Sequence, residues 1–139
     1  MATENVEDYL ERIYELIEKK GYARVVDVAE ALGLAQASVT QMVQKLHERG
    51  LVVYEKYRGL TLTAEGERVA RTVQRRHQVL SDFFELIGVD GAAARRDIEG
   101  IEHHLSPRTL SRIEDLVEFL REHPHLREQI GDSRRAAKS

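Results

Sequence analysis

The residues best suited to chemistry lie in Asp97-Ile-Glu-Gly-Ile-Glu-His-His104. On a helix, Glu99, Glu102 and His103 fall at i, i+3 and i+4 and share roughly a 100° arc of one face. Two carboxylates and an imidazole in that arc form a ligand set for manganese, iron or zinc. With no cysteine in the chain, the set leans toward the harder of these ions. A solvated polar face explains the same spacing with about equal weight. Gly100 sharpens the metal alternative, since a mid-helix glycine costs about 1 kcal/mol relative to alanine and suits a close approach to the backbone. His77, between Val73 and Leu80 with Arg75 and Arg76 beside it, reads by itself as a core histidine. It becomes a ligand only if another ligand cluster packs against it. Asp8 and Glu11, at i and i+3, read by themselves as part of a solvated acidic stripe.

A second group of side chains suits a different chemistry. Ala37, Thr40, Gln41, Gln44 and Lys45 point away from Val39, Val43 and Leu46 on one helix. Gln reads adenine bidentately, Thr and Ala contact a thymine methyl, and Lys suits phosphate or guanine. Gln36 and Ser38 belong to the same opening turns. Lys56, Tyr57 and Arg58, with Tyr54, fit a β-hairpin that touches the DNA backbone or minor groove; Tyr57 as a packing residue is the alternative. The chain carries no Gly-x-Ser-x-Gly, P-loop, Gly-x-Gly-x-x-Gly or His-Glu-x-x-His, so nothing announces an enzyme.

Positioning these groups takes a series of helices and one hairpin. Val6, Leu10, Ile13 and Ile17 predict an amphipathic helix over 5–20, its acidic residues on the opposite side, stopping near Gly21. Short helices over 25–32 and 36–49 end at Gly33 and Gly50, the two joined as a helix-turn-helix. Leu51-Val-Val-Tyr54 and Leu60-Thr-Leu-Thr63 flank a turn ending at Gly59 and predict a hairpin. Thr63 then caps a long helix with Val69, Val73, Leu80, Phe84 and Ile87 as its seam, ending at Gly88. Residues 92–105 put Ala94, Ile98, Ile101 and Leu105 on one face. Ser106-Pro107 restarts the chain as N-cap and first helical residue, leading into Leu110, Ile113, Leu116 and Leu120. Pro124 ends that helix, residues 126–130 add a turn or two, and the tail from about 131 is expected to fray.

These elements give a mainly α chain: an N-terminal winged helix-turn-helix over 1–63, then a connector helix and a small all-helical domain over 64–139. Three helices make a small core, so the second half is expected to pair with another copy of itself. Of the 139 residues 42% are apolar and 32% charged, the balance of a folded, soluble chain. Zero cysteines exclude disulfides, thiolate zinc sites, iron–sulfur clusters and cysteine nucleophiles. No apolar run approaches the roughly 20 residues that span a bilayer. The acidic start (Glu4, Glu7, Asp8, Glu11) is unlike a signal peptide, so a cytoplasmic location with no membrane partner is expected. A net charge of −3 argues against bulk electrostatic coating of nucleic acid. The charge is nonetheless uneven, acidic over 1–18 and mildly basic over 41–60 through Lys45, Arg49, Lys56 and Arg58.

Four segments in order, Ala37-Ser-Val-Thr-Gln-Met-Val-Gln-Lys-Leu46, Gly50-Leu-Val-Val-Tyr-Glu-Lys-Tyr-Arg-Gly59, Leu62-Thr-Ala-Glu-Gly66 and Gly100-Ile-Glu-His-His-Leu105, resemble the diphtheria-toxin-repressor family of metal-dependent regulators, and within it the short, manganese-responsive members. The similarity runs from about residue 5 to 123. It implies a homodimeric repressor that, loaded with Mn2+, binds double-stranded operator DNA upstream of manganese-uptake genes, with no small-molecule substrate. It carries a ligand set onto Asp8, Glu11, His77, Glu99, Glu102 and His103, with two ions per subunit and Glu99 and Glu102 bridging them. Fe2+, Co2+, Zn2+ or Cd2+ are then expected to substitute in vitro. In the iron-responsive branch Met and Cys replace Asp8 and Glu99, and many of its members carry an additional SH3-like domain that this sequence lacks. Ala35-Gln36-Ala37 departs from the His-Pro or similar pair that often opens the recognition helix of such proteins, which changes the expected operator. An iron(II)-responsive regulator, a winged-helix sensor of a non-metal ligand and a two-metal hydrolase are the competing readings.

Overall fold

The computed structural model describes residues 4–130; the tail expected to fray lies outside them. The order is α1 (Glu4–Lys20), α2 (Val25–Leu32), α3 (Gln36–Glu48), β1 (Val52–Glu55), β2 (Gly59–Leu62), α4 (Ala64–Leu86), α5 (Gly91–Ile101) and α6 (Pro107–Glu122), followed by a helical segment over 124–130. Among the described residues no helix is long and apolar enough to cross a membrane. The chain divides into two compact units, residues 1–74 and 75–139. The first extends past the hairpin into α4, because Val69 and Ala70 pack in its core.

The first unit is a winged helix-turn-helix. Val6, Leu10 and Ile13 of α1, Val28 and Ala29 of α2, and Val39, Val43 and Leu46 of α3 form one buried cluster with Val52 and Leu60 of the hairpin. The turn between α2 and α3 needs Gly33 at φ 67°, a left-handed conformation in which a side chain is strained. β1 and β2 pair antiparallel, Val52 opposite Leu62 and Glu55 opposite Gly59, and the Leu60 N–H donates to the Ala23 carbonyl at 2.8 Å. Thr63 caps α4 as expected: its Oγ1 accepts from the Gly66 N–H at 3.1 Å and donates to the Gly50 carbonyl at 2.7 Å. One expectation for α1 fails. Glu7 is buried, because at 100° per residue it flanks Leu10 and Tyr14 at the edge of the apolar arc.

The second unit has two modest apolar clusters. Val79, Leu80, Ile98 and Leu110 form one; Leu86, Val117 and Leu120 form the other, with Ile113 packed against both. Ser106 Oγ accepts from the Thr109 N–H at 3.1 Å ahead of Pro107, the expected cap. Two predicted core residues are exposed, Ile101 and Leu116. α5 stops at Ile101, which frees that side chain from its seam, and on α6 the inward stripe runs Leu110, Val117 and Leu120 at sevenfold and threefold steps, leaving Leu116 outside.

Candidate metal centre and DNA-reading face

The metal-ligand chemistry of the second unit gathers on Glu102. Its carboxylate is buried, with 6% of the side chain exposed. His77 Nδ1 lies 3.1 Å from its Oε2, and His103 Nε2 lies 3.5 Å from its Oε1, so each oxygen faces one imidazole. α4 supplies His77, and the cap and turn that follow α5 supply Glu102 and His103. The sequence expectation put Glu99, Glu102 and His103 on a single helix; instead α5 ends at Ile101, Glu102 is its C-cap, and His103 sits in the following turn. The Glu102 N–H still donates to the Ile98 carbonyl at 2.9 Å, whereas the His104 N–H reaches the Ile101 carbonyl at 3.0 Å in a tighter, three-residue step.

A helix end leaves its last carbonyls without intrahelical donors. Here the Arg76 guanidinium donates to the Glu102 carbonyl at 3.1 Å, so consecutive residues of α4 hold the backbone and the carboxylate of one residue. The sequence reading noted Arg76 only as a neighbour of His77, and nothing in its spacing marks a carbonyl partner on another helix. The His77 side chain is 45% exposed, which excludes the core histidine that its apolar neighbours suggested. Glu99 is exposed on α5. Asp8 and Glu11 are both partly buried on α1 in the first unit, on the side away from Val6, Leu10 and Ile13. The structure thus brings together His77, Glu102 and His103, with Glu99 one turn before Glu102.

A carboxylate taken out of water is unfavourable unless paired or ligated. Two imidazoles and hard oxygens, with no thiolate, are the donor set of a first-row divalent ion and fit manganese, iron or zinc.

The other chemistry lies on α3 and the wing. Gln36, Ala37, Ser38, Gln41, Gln44 and Lys45 are exposed and Thr40 is partly so. Among the described residues the side chains of Gln36, Ser38, Gln41, Gln44 and Lys45 form no intramolecular hydrogen bond or ion pair, which leaves their donors and acceptors available to a duplex. The wing is braced from α3, because the Tyr54 N–H donates to His47 Nδ1 at 3.1 Å. At its tip Tyr57 is 92% exposed with φ 73°, and the Lys56 ammonium lies over its ring at 5.4 Å. This excludes the packing alternative for Tyr57. Among the described residues Arg58 pairs only with exposed Glu55, at 3.5 Å.

Residues 1–60 match the family described as iron dependent repressor, N-terminal DNA binding domain. Residues 63–131 match its metal binding and dimerisation domain. The chain belongs to the iron-dependent repressor family. Members of the family are transcriptional regulators and not enzymes, and the two matched domains assign DNA binding to the first and metal binding and dimerisation to the second. The chain is 50% identical over 134 residues to the HTH-type transcriptional regulator MntR of Lysinibacillus sphaericus (strain C3-41), covering 96% of each protein. It is 52% identical over 122 residues to the protein of the same name from Bacillus subtilis (strain 168), covering 88% of this chain and 86% of that one. Among solved structures, the manganese regulator SloR superposes with a TM-score of 0.72 at 29% identity over 85% of this chain. The chain spans 55% of that structure's length. This iron-dependent repressor chain therefore has the mainly helical, winged helix-turn-helix architecture expected from its sequence.

Proposed function

We propose that this chain is a manganese-responsive transcriptional repressor that binds operator DNA as a metal-loaded homodimer and represses manganese-uptake genes in the cytoplasm. The observation that carries the reading is the buried Glu102 carboxylate flanked by two imidazoles without a sulfur donor, in a chain half identical to the MntR regulators. Asp8, Glu11, His77, Glu99, Glu102 and His103 would hold two ions per subunit, and Fe2+, Co2+, Zn2+ or Cd2+ would be accepted by the same ligands in vitro.

Four carboxylates carry about −4 of charge and repel one another when drawn together. A bound divalent ion supplies the opposing charge. His77 and His103 must offer neutral ring nitrogens, and Arg76 fixes the turn that carries Glu102 and His103. Asp8 and Glu11 come from the DNA-binding unit, so ligand convergence restricts how the recognition helices are held. A dimer reads half-sites about one helical turn, roughly 34 Å, apart, and restricting that geometry is a population shift toward the DNA-competent state.

The test is the DNA affinity of the whole protein without metal and with Mn2+, Fe2+ or Zn2+. Manganese should raise affinity at least about fivefold, the lower end of allosteric coupling, and more than the other ions. Glu102→Ala should abolish that gain while leaving a folded dimer. DNA affinity independent of metal would overturn the proposal.

A further inference from the structure

One cleft in the first unit belongs neither to the metal ligands nor to the α3 face. Arg24, Val25 and Val26 form one wall, and Tyr54, Tyr57 and Gly59 of the wing form the other, enclosing about 320 Å³. The Arg24 guanidinium is exposed and lies over the Tyr22 ring at 5.1 Å. Among the described residues it has no carboxylate partner. Asp27, three residues on, pairs with Lys20 at 3.8 Å, and on the wing Glu55 pairs with Arg58 at 3.5 Å. An arginine stacked on an aromatic ring, beside an open cleft and without a counter-charge, is a ready anion site.

The backbone fixes this cation relative to the wing. The residue before it, Ala23, pairs with Leu60, and at Gly59 an added Cβ would stand 2.7 Å from the Ala23 carbonyl oxygen. The strand is pressed against the segment that carries Arg24, so the cleft has a set width. Its other wall ends in Tyr57, the fully exposed tip of the wing, between Lys56 and Arg58. The cleft therefore suits an anion presented alongside that wing, in a domain whose partner is DNA.

We propose that this cleft seats a backbone phosphate of the bound duplex, with Arg24 as its charge partner and Tyr57 as its wall. The contact carries no sequence information; it sets the register of the duplex against the wing while α3 reads bases. The proposal rests on the DNA-binding reading of the wing and not on the metal assignment.

The test uses the manganese-loaded full chain, a duplex selected by the unaltered protein from a random pool, and a mixed-sequence duplex, each over a range of salt. Arg24→Gln should weaken both duplexes to a similar degree, roughly tenfold for a dimer, and should make the plot of log affinity against log salt shallower by about two, one per lost phosphate contact in each subunit. Arg24→Lys should keep most of that slope, and manganese affinity without DNA should be unchanged. Gln41→Ala is the contrasting arm, expected to lose affinity on the selected duplex and little on the mixed one. An unchanged salt slope in Arg24→Gln, or a loss confined to the selected duplex, overturns the phosphate assignment. If instead Gln41→Ala shows no selective loss, the base-reading role of α3 fails while the Arg24 result stands on its own slope.

Discussion

Asp8 carries the most specific expectation for metal choice. It offers a hard oxygen from α1 at a position where iron-responsive relatives are expected to hold a thioether. Asp8→Met removes one charge and one oxygen ligand, and sulfur favours softer ions that accept fewer ligands. The variant should respond to iron(II) or cobalt(II) at least as well as to manganese, while the parent responds best to manganese even where zinc binds tightly. Metal-titrated DNA binding checks this, and an unchanged order of activating ions would reduce Asp8 to a surface carboxylate. Individual side chains were unevenly legible in the sequence. Glu102 and His103 stood out because their types and spacing are unusual together. His77 read as core, since the periodicity that places it between Val73 and Leu80 says nothing of the Glu102 carboxylate brought up from α5. The Arg76 contact to Glu102 was equally opaque, because it ends on a backbone carbonyl and no side-chain pattern marks that.

Elements were easier to read than contacts between them. Several helix boundaries have a local cause that survives in the structure: Ser106 and Thr63 as caps, Gly33 in a left-handed turn, Pro107 at the first helical position. The end of α5 departs from its expected place. Leu105 continues the apolar period, but the chain tightens after Glu102, so Ile101 points outward and His103 leaves the helix. The joint between wing and α4 depends on a feature that propensity alone would count as a defect. Gly66 lies within the first turn of α4, and a Cβ there would stand 1.9 Å from the Leu51 carbonyl oxygen, a contact that flexible side chains cannot relieve because the obstacle is backbone. Gly66→Ala would ordinarily favour a helix by about 1 kcal/mol. Here overpacking should outweigh that gain and destabilise the first unit by about 2 kcal/mol or more, read as a lower thermal midpoint and weaker DNA binding with or without manganese. A midpoint equal to or above the parent's would mean that α4 does not approach the wing so closely.

The whole molecule has to present two DNA-binding units to one duplex, and the second unit offers an apolar face for a partner copy. Its apolar clusters are small for a self-sufficient core, and residues 63–131 match a dimerisation domain. On α6, Leu116 is 46% exposed and Phe119 is 47% exposed, three residues apart and hence on one face. Phe119 stacks on His123 with ring centroids 4.2 Å apart, and His123 Nδ1 lies 2.8 Å from the Phe119 carbonyl oxygen, which holds the ring outward. Exposed apolar residues grouped on one helix face are what an interface needs, so we place the subunit contact there. Phe119→Glu removes little from the monomer's own core, because the side chain is half in solvent, but in a twofold contact it puts one unpaired charge per subunit into the apolar interface. The variant should therefore sediment as a monomer at concentrations where the parent is a dimer. Each chain should keep its manganese affinity, because no proposed ligand lies on α6. Affinity for a palindromic duplex should fall by about 10² or more, since two linked half-site contacts become one. A variant that remains dimeric and keeps its DNA affinity would move the interface elsewhere on the second unit, and one that becomes monomeric yet binds the duplex as before would show that fixing two recognition helices together is not how this protein gains its affinity.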